Sequence, residues 1–121
     1  MTEAEWRRAA PLLDRALAHA GRSHGLNDVR AMIAAGEARL WLGEHAALVA
    51  LIEDDPRERR LLIWLAGGDL AELMQRLRPE AEAWGRTEGC RRAVIIGRAG
   101  WERALAPEGY APLARIIAKE L

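Results

Sequence analysis

Few residues of this chain have types and spacing suited to chemistry, and the clearest pair is Glu44 with His45. These two titratable side chains are adjacent in a Gly-Glu-His turn between two apolar runs. Histidine as a residue type changes its charge close to neutral pH, so the pair is a candidate to accept a proton from a substrate. A turn that only exposes both side chains to water gives the same pattern, and that second interpretation stays open.

A glycine pair followed by an aspartate, Gly67-Gly68-Asp69, marks a second candidate site. The pattern predicts a corner from a strand into a helix, where free backbone N–H groups can bind an anion and glycines let it approach closely. The Asp69 carboxylate can instead cap the helix, which would occupy the same N–H groups and repel a phosphate. The corner is therefore either an anion site or a plain capped turn.

The histidines and the cysteine of the chain do not form a pattern typical of a metal site or a reactive thiol. The histidines His19, His24 and His45 lack the spacing of metal ligands, so we predict no metal. Cys90 is the only cysteine. It fits a small buried hydrophobic residue, although the two arginines that follow it could lower the pKa of its thiol.

The composition is that of one soluble domain spanning 1–121. Eighteen basic residues balance eighteen acidic ones, which excludes the basic bias of a dedicated nucleic-acid binder. The longest apolar run, 46–52, is too short to cross a bilayer, and the acidic first residues are unlike a signal peptide. With one cysteine, the chain also fits a reducing compartment. We expect a cytoplasmic protein that binds neither nucleic acid nor a membrane.

The elements that would position these residues begin with two helices. Thr2 and Glu5 form a capping box for the first helix, which Pro11 kinks or restarts. Asn27 or Asp28 caps the second helix. An antiparallel meander follows, predicted from three apolar runs separated by turn signals, at 38–42, 46–53 and 60–65.

The second half of the chain alternates helices and strands. Asp69 opens a long helix that Pro79 bends, and the strand Arg92–Ile96 follows as a parallel crossover. A short helix at 101–106 precedes a last strand, Leu113–Ala118, whose edge could pair with a second copy of the chain. The fold class is α/β, with the order ααβββαβαβ and a central mixed sheet flanked by helices. Its parts have the boundaries 1–36, 37–66 and 67–121.

Five tryptophans and no phenylalanine are unusual for a chain of this length. Trp6 and Trp84 fall on apolar helix stripes and Trp64 in a strand, so core packing is the first interpretation of all three. Trp41 lies between two leucines of a strand and therefore points to the opposite face from them. Trp41, Trp64 and Trp101 are our candidates for the wall of a pocket.

The order of elements and the residues at their joints resemble the GNAT acyltransferase family, most closely from Ala46 to Leu121. The run Leu65-Ala66-Gly67-Gly68 resembles the start of that family's acyl-CoA pyrophosphate loop, and Glu108-Gly109-Tyr110 resembles its Gly-aromatic pair before the last strand. The segment Gly97 to Arg103 is similar to small GNAT-like proteins of bacteriophages and prophages.

This resemblance implies transfer of an acetyl group from acetyl-CoA to an amine by direct attack. Water, or Glu44 with His45, would deprotonate the amine. Leu105 stands where the family often has a tyrosine that protonates the leaving thiolate. The residues that the resemblance assigns to acetyl-CoA are Ala66, Gly67, Gly68, Asp69, Leu70 and Trp101.

A second function follows from the same resemblance. With Asp69 in the loop and no proton donor at Leu105, the chain could be an inactive phage or prophage component. It would then act through protein contacts in a virion or its assembly.

Overall fold

The computed structural model describes residues 1–121 except Arg98 and the side chain of Ala99. Its helices are α1 (Glu3–His19), α2 (Leu26–Ala34), α3 (Leu70–Glu72), α4 (Arg78–Thr87) and α5 (Ala99–Leu105). A π-helical turn, Leu73–Leu77, joins α3 to α4, and a 3₁₀ turn, Ala106–Glu108, follows α5. The strands are β1 (Arg39–Leu42), β2 (Ala46–Asp54), β3 (Arg59–Gly68) and β4 (Arg92–Ile95).

These strands form one mixed sheet in the order β1-β2-β3-β4. The first three are antiparallel neighbours, with a register shift between Val49 and Ala50. β4 is parallel to β3, with Arg60 opposite Arg92 and Ile63 opposite Ile95. The predicted meander, the predicted parallel crossover and the α/β class are confirmed.

Helices cover both faces of the sheet, because the strands at its centre are apolar on both sides. On one face, α1 buries a stripe at helical spacing against β2 and β3, made of Trp6, Ala9, Leu13 and Leu17. On the other face, the helices after β3 bury Leu73, Leu77 and Ala81 against the alternate residues of the same strands. The sheet therefore lies between two helical layers.

Three local predictions need correction. The last strand, Leu113–Ala118, is wrong, because 111–121 has no regular structure and every residue in it is exposed. The cap of α2 is Gly25, whose N–H donates to Oδ2 of Asp28 at 2.8 Å. The first helix continues from Glu3 to His19 with Pro11 inside it, so it does not restart there, and the kink stays a prediction.

The helix after β3 departs from α geometry beside Pro79, as a proline there predicts. Pro79 lies at the start of α4 and has no N–H. In the turn before it, the Arg78 N–H donates to the carbonyl of Leu73, five residues back. The disturbance takes the form of a π-helical turn.

Candidate functional site

The sheet opens between β3 and β4. The two strands pair from Arg60 with Arg92 to Ile63 with Ile95, where β4 ends. β3 continues to Gly68 paired with β2 alone among the described residues. The backbone of Trp64–Gly68 therefore has one side free of strand partners, and the sheet has a gap beside it.

A cavity of about 150 Å³ occupies this gap. Because side chains alternate along β3, residues of both sheet faces reach it, with Ile63 on one face and Trp64 on the other. Most of its wall is apolar, and the titratable residues on it are His19 and Arg78. An apolar wall with few polar groups is typical of a small-molecule site.

Three of the sequence-predicted site residues, Trp64, Ala66 and Trp101, lie together on the wall of this cavity. Trp41 lies at the other edge of the sheet, in β1. It is buried and packs edge-to-face on Trp84 with ring centroids 5.5 Å apart, while the Arg39 guanidinium lies 5.5 Å from its ring. The structure therefore brings together two of the three tryptophans that we predicted for a pocket wall.

The glycine pair at the end of β3 is packed against protein backbone. A Cβ atom on Gly67 would lie within 3.0 Å of the carbonyl carbon of Leu12 in α1. Gly68 has φ +104°, and a Cβ there would lie 2.7 Å from Cα of Ala46. Both glycines are required by the close approach of neighbouring chain segments, which occupy the side of each glycine where a Cβ would stand.

The carboxylates of Asp69 and Glu72 accept hydrogen bonds from backbone N–H groups of the same corner. Oδ2 of Asp69 accepts a hydrogen bond from the Glu72 N–H at 2.9 Å, as predicted for a cap, and the Asp69 N–H donates to the His45 carbonyl at 2.9 Å. The Glu72 carboxylate accepts from the N–H groups of Glu44 at 3.2 Å and His45 at 3.0 Å. Two carboxylates lie where a pyrophosphate would bind, so this corner does not fit one.

The hydrogen bonds to Glu72 therefore hold the backbone of Glu44 and His45 in place, and the side chains of both residues are exposed. Their turn is tied to Glu72 in α3 and does not contribute to the wall of the cavity between β3 and β4. His19, at the end of α1, is the histidine on that wall. No sequence signal sets His19 apart, because only the packing of α1 across β3 brings it to the gap.

A buried ion network on the other side of the cavity was not predicted. Arg78 is about nine-tenths buried and pairs with Glu82 one helical turn on. Its guanidinium also donates to the Met74 carbonyl at 3.1 Å and lies 3.3 Å from Glu108, while the Tyr110 hydroxyl donates to Glu82 at 2.8 Å. The available signal was the position of Arg78 directly after Leu77 in an otherwise apolar stripe, with a glutamate at i+4.

Burial and the hydrogen bond to Glu82 raise the pKa of Tyr110 well above its usual range. Below the unfolded-state pKa, near 10, the neutral phenol keeps its full contribution to stability, and this contribution is lost progressively as the pH rises through the raised folded-state pKa. Tyr110 is the only tyrosine, so its phenolate absorbance can be followed directly. We expect no phenolate signal at pH 10–11 until the protein unfolds, and a lower onset in Glu82→Gln; ionisation near pH 10 with unchanged circular dichroism would contradict this.

Burial raises the pKa of the Cys90 thiol, and the opposing effect of Arg59 is smaller. The half-buried Cys90 packs against the core on the α4 side of the sheet. This supports a packing role over a reactive thiol. Among the described residues, no group of His, Cys, Asp and Glu could hold a metal ion, and no helix is long and apolar enough to span a membrane.

The sequence matches no family model and no curated protein. Its structure is similar to the aminoglycoside N-acetyltransferase AAC(6')-Iy in complex with CoA, with TM-score 0.74, 13% identity and coverage of 100% of this chain and 91% of that chain. An acetyltransferase from Trypanosoma brucei gives 0.71 at 12% identity, covering 100% and 96%. A transcriptional regulator from Bacillus halodurans C-125 gives 0.71 at 14% identity, also covering 100% and 96%.

These similarities extend over the whole chain and include the mixed sheet between helical layers. At such low identities they establish the architecture and leave the activity to be argued from the site. The chain has the GNAT fold.

Proposed function

We propose that this chain transfers an acyl group from a thioester to an amine, with the reaction in the cavity between β3 and β4. The observation that carries the proposal is the gap itself. The backbone of Trp64 and Ala66, which has no strand partner on this side, lies beside an apolar cavity, and the two amides of a pantetheine arm would hydrogen-bond to it. The acetyltransferases among the structural neighbours support the same reaction type.

In this proposal, the chain contributes position and exclusion of water more than acid–base groups. A bound thioester supplies the activated acyl group. Trp64 and Trp101 would confine it, and His19, at the cavity wall, would accept the proton of the attacking amine. Leu105 is buried and apolar, and the Tyr110 hydroxyl is engaged by Glu82, so neither is placed to protonate the leaving thiolate.

The donor would be held through its pantetheine arm alone, because the corner Gly67–Leu70 does not fit a pyrophosphate. We therefore expect calorimetry to give dissociation constants for CoA and for pantetheine that agree within about threefold, or less than 1 kcal/mol. S-acetyl-pantetheine should likewise replace acetyl-CoA in an assay with mixed amine acceptors. Binding of CoA tenfold tighter than pantetheine would show that the nucleotide end is recognised.

Asp69→Asn tests whether charge alone closes the corner. Asparagine caps a helix about as well as aspartate, so the fold should be kept. We expect CoA affinity to stay unchanged, because the faces of Gly67 and Gly68 remain filled by the Leu12 and His45 backbones. A clear rise in affinity, measured by the same calorimetry, would show that repulsion by Asp69 was the obstacle.

The second candidate function is a binding module without catalysis, and the filled corner is the observation that favours it. A cytoplasmic or virion-associated component of a phage or prophage would use the fold for contacts with other proteins and would not need to bind an acyl donor. No heat and no thermal shift with either CoA or pantetheine at millimolar concentration would favour this candidate, and affinity capture of partner proteins would follow.

A further inference from the structure

Arg78 is a buried cation on the wall of the cavity between β3 and β4. The residue is 8% exposed and reaches the wall from the α4 side of the sheet. The wall residues on that side are otherwise aliphatic, namely Leu48, Ile63, Leu73 and Ile95. In such surroundings, a guanidinium needs a partner for its charge and for each of its N–H groups.

The terminal nitrogens of Arg78 have partners, and its Nε does not. Nη1 donates to Glu82, and Nη2 lies 3.3 Å from Glu108. Nε is buried and has no hydrogen-bond partner among the described residues. The Nε of Arg60 is also buried without a hydrogen bond, but Oδ2 of Asp55 lies 3.0 Å from it. Arg78 therefore has an unused donor with no carboxylate beside it.

The ion network of Arg78 is oriented, with its cation toward this cavity and its carboxylates away from it. Glu82, Glu108 and Tyr110 line a separate cleft of about 430 Å³ between α4 and the start of β4. Among the described residues, the cavity and this cleft share no lining residue. The positive end of the network therefore lies at the cavity and favours an electron-rich atom there.

We infer that Nε of Arg78 donates a hydrogen bond to the carbonyl oxygen of the bound acyl thioester. This inference rests on the function proposed above. A neutral oxygen suits the position better than a carboxylate, because Glu82 and Glu108 already balance the guanidinium charge and would repel a third carboxylate. The contact fixes the position of the carbonyl and draws electron density toward its oxygen, which favours attack at the carbon.

His19 reaches the same cavity from the opposite helical layer, at the end of α1. As the amine attacks, a C–N bond forms, the electron pair of the C=O bond moves onto the oxygen beside Arg78, and an amine proton passes to His19. The electron pair then returns to the carbonyl, the C–S bond breaks and the thiolate leaves. Arg78 would thus act on the oxygen and His19 on the nitrogen.

Calorimetry with S-acetyl-pantetheine and S-ethyl-pantetheine tests the contact, because a methylene replaces the carbonyl in the second ligand. We expect the wild type to bind the acetyl form about tenfold more tightly, or about 1.4 kcal/mol. Equal affinities would overturn the inference. S-succinyl-pantetheine should bind no more tightly than the acetyl form, and tenfold tighter binding would show that Arg78 pairs with a carboxylate instead, which would also overturn it. Binding of none of these ligands would contradict the proposed function itself, and the inference with it.

A double variant assigns the preference to Arg78. Arg78→Met combined with Glu82→Gln removes one charge of each sign, and we expect it to bind the acetyl and ethyl forms equally. Arg76→Met combined with Glu80→Gln is the matched control, because this pair has the same i+4 spacing but is about half exposed, and it should keep the tenfold preference. A preference that survives the loss of Arg78 would assign the carbonyl to another donor and overturn the inference. The wild-type comparison stands without the variants, so the test does not depend on their folding.

Discussion

Replacing Gly67 by alanine is expected to destabilise the fold by about 3 kcal/mol. The new methyl group would overlap the backbone carbonyl of Leu12, which belongs to α1 and cannot rotate away as a side chain could. Relief requires α1 to move off the end of β3, and α1 carries the stripe that fills one face of the sheet. Urea unfolding followed by circular dichroism measures the loss directly.

Gly100→Ala is the matched control for this substitution. Gly100 lies in α5, and among the described residues nothing beyond its chain neighbours and its own helix backbone lies within 4 Å of a Cβ built there. Alanine there should stabilise the helix by about 0.5–1 kcal/mol. If Gly67→Ala behaved like the control, α1 would not be seated on β3 in the way the structure shows, and the space beside the glycine pair would be open to a ligand.

Replacing Arg78 by alanine is expected to cost about 3–5 kcal/mol, because it leaves Glu82 in a mostly buried site without its main partner. Glu108 would lose its ion pair with Arg78 in the same step, and the Glu82 carboxylate that accepts from the Tyr110 hydroxyl would lose its buried cation. Arg78→Met separates the loss of charge from the loss of packing volume, since methionine keeps much of the volume and removes the charge. Adding Glu82→Gln to Arg78→Met should recover part of the loss, and thermal and urea unfolding of the three variants would show this.

Arg76→Ala provides the comparison on the same helix. Arg76 also pairs with a glutamate at i+4, Glu80, at 3.4 Å, but both side chains are about half exposed. An exposed pair of this kind contributes about 0.3–0.5 kcal/mol. Equal losses for Arg76→Ala and Arg78→Ala would mean that Arg78 is solvated in solution and that the ion network does not form.

The fold was largely predictable because its signals are local. Thr2 and Glu5 make their capping box three residues apart, and Asp69 caps the helix that follows it. Alternating apolar runs with turn signals between them gave the meander, and a helix between two apolar strands gave the parallel pair. Each of these features depends on residues that are neighbours in the chain.

The predictions that were wrong concern residues whose structure depends on partners far away in the chain, or helix starts where several residues could act as the N-cap. Leu113–Ala118 has the composition of a strand, but a strand also needs a neighbouring edge, which composition cannot supply. Asn27 and Asp28 are both residue types that favour an N-cap. In the structure the N-cap is Gly25, and Asp28, inside the helix, accepts a hydrogen bond from the Gly25 N–H. Trp64, Ala66 and Trp101 lie together on the cavity wall, and their roles in binding stay predictions. The burial of Arg78 was not predicted, because a charged residue in a helix usually faces water.

The π-helical turn Leu73–Leu77 accounts for the burial of Arg78. The hydrogen bond of this turn joins residues five apart in the chain, where an α-helical bond joins residues four apart, so the turn contains one extra residue. Leu77 and Arg78 are adjacent and both buried. Deleting one residue from this turn should leave Ala81 and Gly85 on the sheet and remove the inward cation. The inward position of Arg78, and with it the ion network, therefore depends on the geometry of this one turn.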